Sequence, residues 1–269
     1  MEHLSDYSNN VTSQAGEDGI IKEIFNRLEI QEPVFCEFGA LDGIQFCNTR
    51  ELALRGCKGL YIEAGKEFGD CVRNYQDHPN ITVVKEYVGE KNAIGKNSKV
   101  QETSFDTICK KHFNHKLDFL VIDVDGGDYE IMRGIKKYLP KVLMIECNPF
   151  RHPLDTKYYG YCIGDVQESL TVMNDLGEKM GYKMVCWTQN IFFVKEEYYH
   201  LFDVETDIME IFKQGLKGYI QRDEAQLGRL INRMGSKRFG EQNTKFIRDC
   251  WTECVGEMKR DGIYKPQTV

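Results

Sequence analysis

Acidic residues and glycines follow a short apolar run near the start of the chain. The run Val34–Phe38 includes Glu37 and leads into Gly39, Asp42 and Gly43. Such a pattern suits a buried parallel strand whose carboxyl end opens into a tight, glycine-permitted turn beneath a ligand. The spacing differs from the G-x-G-x-x-G turn of dinucleotide sites, and the two carboxylates would repel a phosphate. A cationic ligand therefore fits this turn better.

A second group of carboxylates follows the apolar run Phe119–Ile122. Asp123, Asp125 and Asp128 stand at the predicted carboxyl end of this strand, where three acids are costly unless they bind something. An EF-hand loop starting at Asp123 is excluded, because it needs glycine and glutamate where this chain has Asp128 and Gly134. A catalytic Mg²⁺ or Ca²⁺ site remains open, as does the metal-diphosphate site of a nucleotide-sugar glycosyltransferase.

The next apolar run also ends in polar residues, Glu146 and Asn148. Carboxyl ends of neighbouring parallel strands form one crevice, so we predict that both residues meet Asp123 and Asp125 around a single site. Carboxylate and amide oxygens suit a hard cation such as Mg²⁺. His152, in the loop that follows, is a candidate general base near neutral pH.

Glu63 ends a further apolar run, Gly59–Ile62, about 20 residues after the first glycine turn. At that separation a strand-end acid accepts hydrogen bonds from ribose hydroxyls in doubly wound nucleoside sites. Ala64 follows as a second candidate contact. A third strand is predicted over Ile81–Val88, and Tyr87 within it would lie beside an adenine.

Composition narrows the classes of function. A formal net charge of -7 and a pI of about 5.5 argue against a general nucleic-acid binder, which needs a basic face to displace counterions. The opening residues lack a signal-peptide pattern, and no apolar run approaches the roughly 20 residues that span a bilayer. We therefore expect a cytoplasmic protein without a membrane span. Its ten cysteines are expected to be reduced thiols, and Cys250 and Cys254 have helical spacing without further zinc ligands.

Apolar periodicity predicts the elements that position these residues. One helix is predicted to begin near Glu17 with a cap at Thr12 or Ser13, and a second runs through Leu54 and ends at Gly56. Two further helices are predicted over Tyr129–Tyr138 and from about Asp165 to Met180. Tyr182–Trp187 and Ile191–Val194 are predicted to form a hairpin. A parallel βα series closed by an antiparallel hairpin is typical of the class I methyltransferase fold. From Glu197 onward the patterns are helical, which predicts a main domain over residues 1–196 and a helical extension over 197–269. The extension is compatible with a homodimer interface, with packing on the main domain or with covering the site.

Taken in order, these motifs resemble the FkbM-type family of S-adenosylmethionine (SAM) dependent O-methyltransferases. The segments that carry the resemblance are Ser13–Asp18, Phe35–Gly43, Asn48–Thr49, Gly59–Glu63, Ser104–Asp106, Ile122–Gly126 and Asn190–Val194. Cys47 stands where the family pattern has serine, and Asp125 where it has glutamate. The resemblance implies an α/β, Rossmann-like class I methyltransferase sheet, SAM as the methyl donor, and a hydroxyl acceptor on a sugar, glycan precursor or related small metabolite.

The candidate residues then divide between two ends of one site. Those assigned to SAM are Gln14, Glu37, Gly39, Asp42, Gly43, Asn48, Thr49, Glu63, Ala64 and Tyr87. Asp123, Asp125, Glu146 and Asn148 would orient the acceptor through Mg²⁺, with His152 as the metal-independent base. Two alternatives stay open: a metal-dependent nucleotide-sugar glycosyltransferase, and a non-catalytic methyltransferase-like subunit whose helical C-terminal part recruits a partner.

Overall fold

The computed structural model describes residues 3–89, 102–113, 116–149, 151–160, 167–234 and 241–264, with side chains except those of residues 102 and 222–234. The strands are β1 Phe35–Phe38, β2 Gly59–Ile62, β3 Ile81–Val84, β4 Tyr87–Val88, β5 Glu102–Thr103, β6 Phe119–Ile122, β7 Val142–Glu146, β8 Tyr182–Trp187 and β9 Asn190–Lys195. The helices are α1 Glu17–Arg27, α2 Arg50–Leu54, α3 Phe68–Tyr75, α4 Phe105–His112, α5 Asp128–Gly134, α6 Leu170–Lys179, α7 Ile208–Met234 and α8 Glu241–Arg260. Two 3-10 helices, Leu4–Tyr7 and Glu196–Leu201, complete the described elements.

Seven strands form one sheet in the order β3-β2-β1-β6-β7-β9-β8. The first five run parallel, and β9 lies antiparallel to both β7 and β8. This arrangement confirms the predicted fold class, including the closing antiparallel hairpin. Because the strand order reverses between β1 and β6, the crevice at their carboxyl ends is where a doubly wound sheet binds its ligand.

The central strands are buried on both faces, as parallel strands between layers of helices must be. Alternate residues of β1 enter different cores: Cys36 and Phe38 pack with α4, α5 and α6, whereas Phe35 packs with α1 and α2. Every residue of β1, β2 and β6 is buried. Their continuous apolar runs therefore made these strands easy to predict from sequence.

The predicted third strand, Ile81–Val88, was wrong in its extent. β3 ends at Val84, because its partner β2 ends at Ile62, which pairs with Val84. The following residues form β4, which pairs in parallel with β5 outside the main sheet. Tyr87 therefore lies on a separate two-stranded ladder.

Two helices are shorter than predicted, each for a local reason. α5 ends at Gly134, since the Asp106 carboxylate accepts hydrogen bonds of 3.0–3.2 Å from the amides of residues 136–138, which a continued helix would need. α6 begins at Leu170, because the Ser169 hydroxyl caps it by accepting from Val172 N, and the predicted start near Asp165 lies outside the described residues.

The start of α1 also differs from its prediction. Its N-cap is Gly16, in a left-handed conformation with φ 91°, rather than Thr12 or Ser13. Ser13 still serves the first turn, because its hydroxyl accepts a hydrogen bond of 3.1 Å from Asp18 N. The sequence thus identified a polar start to the helix but placed the cap at the wrong residue.

Past the second 3-10 helix, the regular elements among the described residues are helices, as predicted. α7 and α8 pack against each other, and Phe212, Ile247 and Cys254 share one apolar core with α6 and β9. The division into domains at residues 196 and 197 stays a prediction. Among the helices described, none combines the length and the apolar character that crossing a membrane requires.

A glycine at the end of β1 provides a test of this architecture. Gly39 has φ 66°, and a Cβ there would lie closer than 3.0 Å to the carbonyl oxygen of Asp123. We expect Gly39→Ala to lower the free energy of unfolding by about 3 kcal/mol or to prevent folding. Gly56 is the matched control: its φ is 83° with nothing within 4 Å, so Gly56→Ala should cost only about 1 kcal/mol. Equal losses in urea denaturation would show that contact with β6 is unimportant.

Candidate active site

The predicted site residues lie on loops that leave the carboxyl ends of the parallel strands. The turn after β1 touches the turn after β6, since Gly39 packs against the carbonyl of Asp123. Gly43 is also confined by the chain itself: it has φ 74°, and its carbonyl accepts a hydrogen bond of 2.6 Å from Tyr75 Oη. Both glycines were predicted to make room for a ligand. The contacts observed show that each is required by a neighbouring part of the protein.

Glu37 holds the loop that leads into α2. Its buried carboxylate accepts hydrogen bonds from Asn48 N at 2.9 Å, Thr49 N at 3.0 Å and Thr49 Oγ1 at 2.6 Å, and a further one from Cys47 Sγ. Burial raises the pKa of this carboxyl group, and the hydrogen bonds oppose that shift. Glu37 thus fixes the backbone of Asn48 and Thr49. Contact of any of these three residues with SAM stays a prediction.

The loop between β1 and α2 is held in an unusual backbone conformation. Leu41 and Phe46 have φ of 51° and 58°, in the left-handed region that bulky residues avoid. Asp42 stabilises the loop between them by accepting hydrogen bonds of 2.8 Å from Ile44 N and Gln45 N. Strain of this kind persists where the surrounding structure enforces it, and it is concentrated at functional sites.

Glu63 lies where a ribose-binding acid is expected, directly after β2. One carboxylate oxygen accepts from Leu41 N at 2.8 Å and the other from Gly65 N, so the side chain bridges the loops after β1 and β2. A carboxylate has about four acceptor positions, which leaves capacity on each oxygen for a ligand hydroxyl. Ala64 beside it is half-buried, and Tyr87 is exposed on β4.

The N-terminal segment contributes a residue that the sequence reasoning missed. Glu17, buried at the start of α1, accepts hydrogen bonds from Ala15 N, from Thr188 Oγ1 at 2.9 Å and from Asn190 Nδ2 at 3.3 Å. It ties this segment to the turn between β8 and β9. An acidic residue in the first turn of a helix is common, because it interacts favourably with the positive end of the helix dipole. The position of Glu17 in the sequence therefore did not indicate these contacts. Gln14, three residues before the start of α1, is exposed.

Three carboxylates converge at the other end of the crevice. Each of Asp123, Asp125 and Glu146 offers an oxygen within 4.8 Å of the others, as expected from their positions at the ends of β6 and β7. Asn148, expected as a fourth member, donates from Nδ2 to Glu146 Oε1 at 2.7 Å, and Gln167 Nε2 donates to the other oxygen. Both amides therefore orient Glu146.

Burial and the repulsion of neighbouring charges raise the pKa of Asp123, Asp128 and Glu146. For Asp123 the main cause is desolvation, followed by the charges of Asp128 and Asp125. For Glu146 it is again desolvation, followed by the charge of Asp123. Desolvation also raises the pKa of Asp128 to about 7, against the hydrogen bonds that its carboxylate accepts from Val124 N and Gly126 N, both 3.0 Å. A divalent cation bound here would relieve the repulsion.

His152 is committed to local contacts. Its Nδ1 accepts a hydrogen bond of 3.2 Å from Leu154 N, so the proton of the neutral ring is on Nε2. The ring packs on Phe246 of α8, with centroids 3.9 Å apart. Both contacts are local to the loop and α8, and the role of His152 as general base stays a prediction.

Comparison with known proteins gives one family match. The model of the methyltransferase FkbM domain matches residues 90–184, a stretch that includes β6, β7 and α6 but not the turn after β1. No curated protein sequence matches the chain significantly.

Solved structures with similar folds are distant in sequence. Monomeric WbdD is 13% identical over 65% of this chain and 40% of its own, with a TM-score of 0.40; the chain thus spans less than half of its length. Magnesium protoporphyrin IX methyltransferase (ChlM) from Synechocystis PCC 6803, solved with bound SAM, is 10% identical over 70% of this chain and 87% of its own, with a TM-score of 0.38. The putative RNA methyltransferase PH1948 from Pyrococcus horikoshii is 12% identical over 71% of this chain and 94% of its own, with a TM-score of 0.42.

The family match adds to what the sheet and the site show. The strand order is that of a class I methyltransferase, and the match supports SAM-dependent methyl transfer as the chemistry of the crevice. The resemblance to the FkbM-type methyltransferases that the motifs predicted is confirmed by a family model over residues 90–184.

Proposed function

We propose that this protein transfers the methyl group of SAM to a hydroxyl of a sugar, glycan precursor or related small metabolite, with Mg²⁺ held by Asp123, Asp125 and Glu146. The observation that carries the proposal is the convergence of these three carboxylates within 4.8 Å, at the end of the crevice adjoining the turn after β1. The O-methyl specificity rests on that cluster, because a cation is useful for ionising a hydroxyl.

The residues at the other end fit the methyl donor. Glu63 can accept hydrogen bonds from ribose hydroxyls while it still receives Leu41 N and Gly65 N. The nearby acids, buried Glu37 and half-buried Asp123, favour a ligand that carries a positive charge. When bound, SAM supplies an activated methyl group on a sulfonium, so the protein has chiefly to hold an acceptor oxygen in line with it.

The acid cluster fits a hard divalent cation. Its donors are all oxygens, which is the preference of Mg²⁺, and Mg²⁺ commonly binds through one or two carboxylates plus water and substrate oxygens. The amides of Asn148 and Gln167 fix the Glu146 carboxylate, as partners of metal-binding carboxylates commonly do. A cation at this position would lower the pKa of an acceptor hydroxyl, so no strong base is needed.

The loop after β7 favours a sugar as the acceptor. Tyr158 and Tyr159 are 42% and 43% exposed, although Tyr158 donates to Glu130 and Tyr159 lies under the guanidinium of Arg151 at 3.6 Å. Aromatic rings fixed in this way while remaining open to solvent can stack on a ligand. A C-terminal homodimer and a cytoplasmic location remain predictions from the sequence.

Calorimetric titration of S-adenosylhomocysteine into wild type and Glu63→Gln tests the donor site. We expect binding to wild type and a loss of about tenfold or more in the variant, since hydrogen bonds to a charged group contribute about 1.5–3 kcal/mol. Glu178→Gln, which alters an exposed acid beside Lys183 at the far end of α6, should leave the affinity unchanged. Absence of binding to wild type would contradict the methyltransferase proposal and direct attention to nucleotide sugars.

The stability of the metal-free protein should depend on pH in a defined direction. Because burial raises the pKa of Asp123, Asp128 and Glu146, the folded chain holds protons on these groups that the unfolded chain has released. The binding of these protons contributes fully to the free energy of unfolding below about pH 4. This contribution is lost as the pH rises towards and through the pKa of each group in the folded state, which is about 7 for Asp128. Urea denaturation at about pH 5 and about pH 8 should show this fall, and Mg²⁺ should restore stability at the higher pH. No effect of Mg²⁺, compared with K⁺ at equal ionic strength, would contradict the metal site.

Methyl transfer from labelled SAM to a panel of sugars and glycan precursors tests the acceptor chemistry. We expect Mg²⁺-dependent product in wild type, suppressed by a chelator, and a loss of about a hundredfold or more in Asp123→Asn with S-adenosylhomocysteine binding retained. Glu178→Gln, which alters the exposed acid beside Lys183 on α6, serves again as the control. Unchanged turnover in Asp123→Asn at saturating SAM would remove that residue from the mechanism.

A further inference from the structure

The backbone between two residues of the acid site is held by the turn from β8 to β9. Cys147 lies between Glu146 and Asn148. Its amide donates to the Gln189 carbonyl at 2.8 Å, and its carbonyl accepts from Trp187 Nε1 at 2.9 Å. Both backbone polar groups of Cys147 are therefore fixed by the hairpin, so the position of the turn sets the position of the side chains of Glu146 and Asn148.

Helix α7 in turn fixes that hairpin. The indole of Trp187 stacks on the ring of Phe212, with centroids 4.9 Å apart and planes at 20°. Gly215, one turn further along, lies so close that a Cβ would be nearer than 3.0 Å to Trp187. Tyr219 Oη accepts a hydrogen bond of 2.9 Å from Gln189 Nε2. Three successive residues on one face of α7 thus contact the turn.

The N-terminal segment holds the same turn from another direction. Glu17 accepts hydrogen bonds from Thr188 and Asn190, the residues that alternate with the two already described. All four residues from Trp187 to Asn190 are therefore fixed by contacts distant in sequence. A turn that only joined two strands would not require such contacts, since hairpin connections are set by their own local geometry.

We infer that Trp187 is a positioning residue for the acid site. Helix α7, through Phe212 and Gly215, holds Trp187 in place and thereby helps to position that site. The inference rests on the proposed function in one respect, namely that Glu146 helps to hold the cation. It assigns the C-terminal helices a role in catalysis instead of partner recruitment. A displacement of about 1 Å in a positioned group can cost about a hundredfold in rate, so small shifts of α7 are expected to matter.

A pair of glycines in the C-terminal helices gives a matched test. Gly215→Ala should displace the indole of Trp187, whereas Gly256→Ala on α8 adds a methyl group whose nearest neighbour is Arg260 Nη1 at 3.6 Å. We expect Gly215→Ala to weaken Mn²⁺ binding, followed by electron paramagnetic resonance, about tenfold. Gly256→Ala should bind Mn²⁺ as wild type does. Both variants should bind S-adenosylhomocysteine normally, because the hydrogen bonds described for Glu63 and Glu37 come from the loops after β1 and β2 and not from α7 or α8.

The two tryptophans give a second pair of variants. Trp187→Phe keeps an aromatic ring against Phe212 but removes the donor to Cys147, whereas Trp251→Phe removes an indole N–H that has no acceptor among the described residues. Only the first should weaken Mn²⁺ binding. In Trp251→Phe the remaining tryptophan is Trp187, so its fluorescence should change when Mg²⁺ is added.

Hydrogen exchange separates failure of this inference from failure of the proposed metal site. The Cys147 amide should exchange faster in Gly215→Ala and Trp187→Phe than in their controls, while the amides of β1 should exchange at the wild-type rate. If wild type binds no Mn²⁺ but the Cys147 amide still exchanges faster in the two variants, the proposed metal site is contradicted while the positioning of the backbone by Trp187 and α7 is supported. If both variants match their controls in exchange and in Mn²⁺ affinity, the inference is overturned. If Gly215→Ala does not fold, the inference is tested by Trp187→Phe alone, through the same exchange and Mn²⁺-binding measurements.

Discussion

The burial of several carboxylates at one end of the sheet is the constraint on which this site depends. Desolvation makes each charge expensive, and neighbouring charges of the same sign raise the cost further. The chain meets most of this cost internally: Glu17, Glu37 and Asp128 each accept several hydrogen bonds from nearby loops. The acids that hold the loops in place are thereby distinct from Asp123 and Glu146, whose carboxylates approach each other and are suited to a cation.

This division assigns different roles to residues of the same chemical type. Glu37 looks like a ligand-binding acid in the sequence, yet the structure buries it beneath the loop that it stabilises. Glu63 bridges two loops and keeps acceptor capacity towards the crevice. Asn148, a candidate ligand by sequence, hydrogen-bonds Glu146 and orients it. The loops and the acids consequently form one hydrogen-bonded unit, in which strain at Leu41 and Phe46 can be maintained.

The C-terminal helices belong to this unit through direct contacts. α7 reaches the β8–β9 turn through Phe212 and Tyr219, and α8 meets His152 through Phe246. Their apolar residues also continue the core that covers one face of the sheet. A helical pair packed in this way stabilises the far edge of the sheet and holds the backbone near Glu146. The role that we propose for these helices in positioning the acid site therefore belongs to a part of the chain outside the residues that the family model matches.

The sequence by itself determined the sheet and the approximate position of the site. Continuous apolar runs defined β1, β2, β6 and β7, because parallel strands buried on both faces leave an unmistakable pattern. Since the ends of such strands meet at one edge, the convergence of the acids after β6 and β7 also followed from the sequence.

Only the tertiary structure decided how far each element extends and what each polar group contacts. The end of β3 depends on the length of β2, and the end of α5 depends on Asp106 in another helix. The same holds for Gly39: the structure shows that it packs against the carbonyl of Asp123, while its contact with a ligand stays a prediction. The hydrogen bonds that Glu17 and Trp187 make at the β8–β9 turn were likewise not predictable. Their partners are distant in sequence, and hydrogen-bonding capacity alone does not specify a partner.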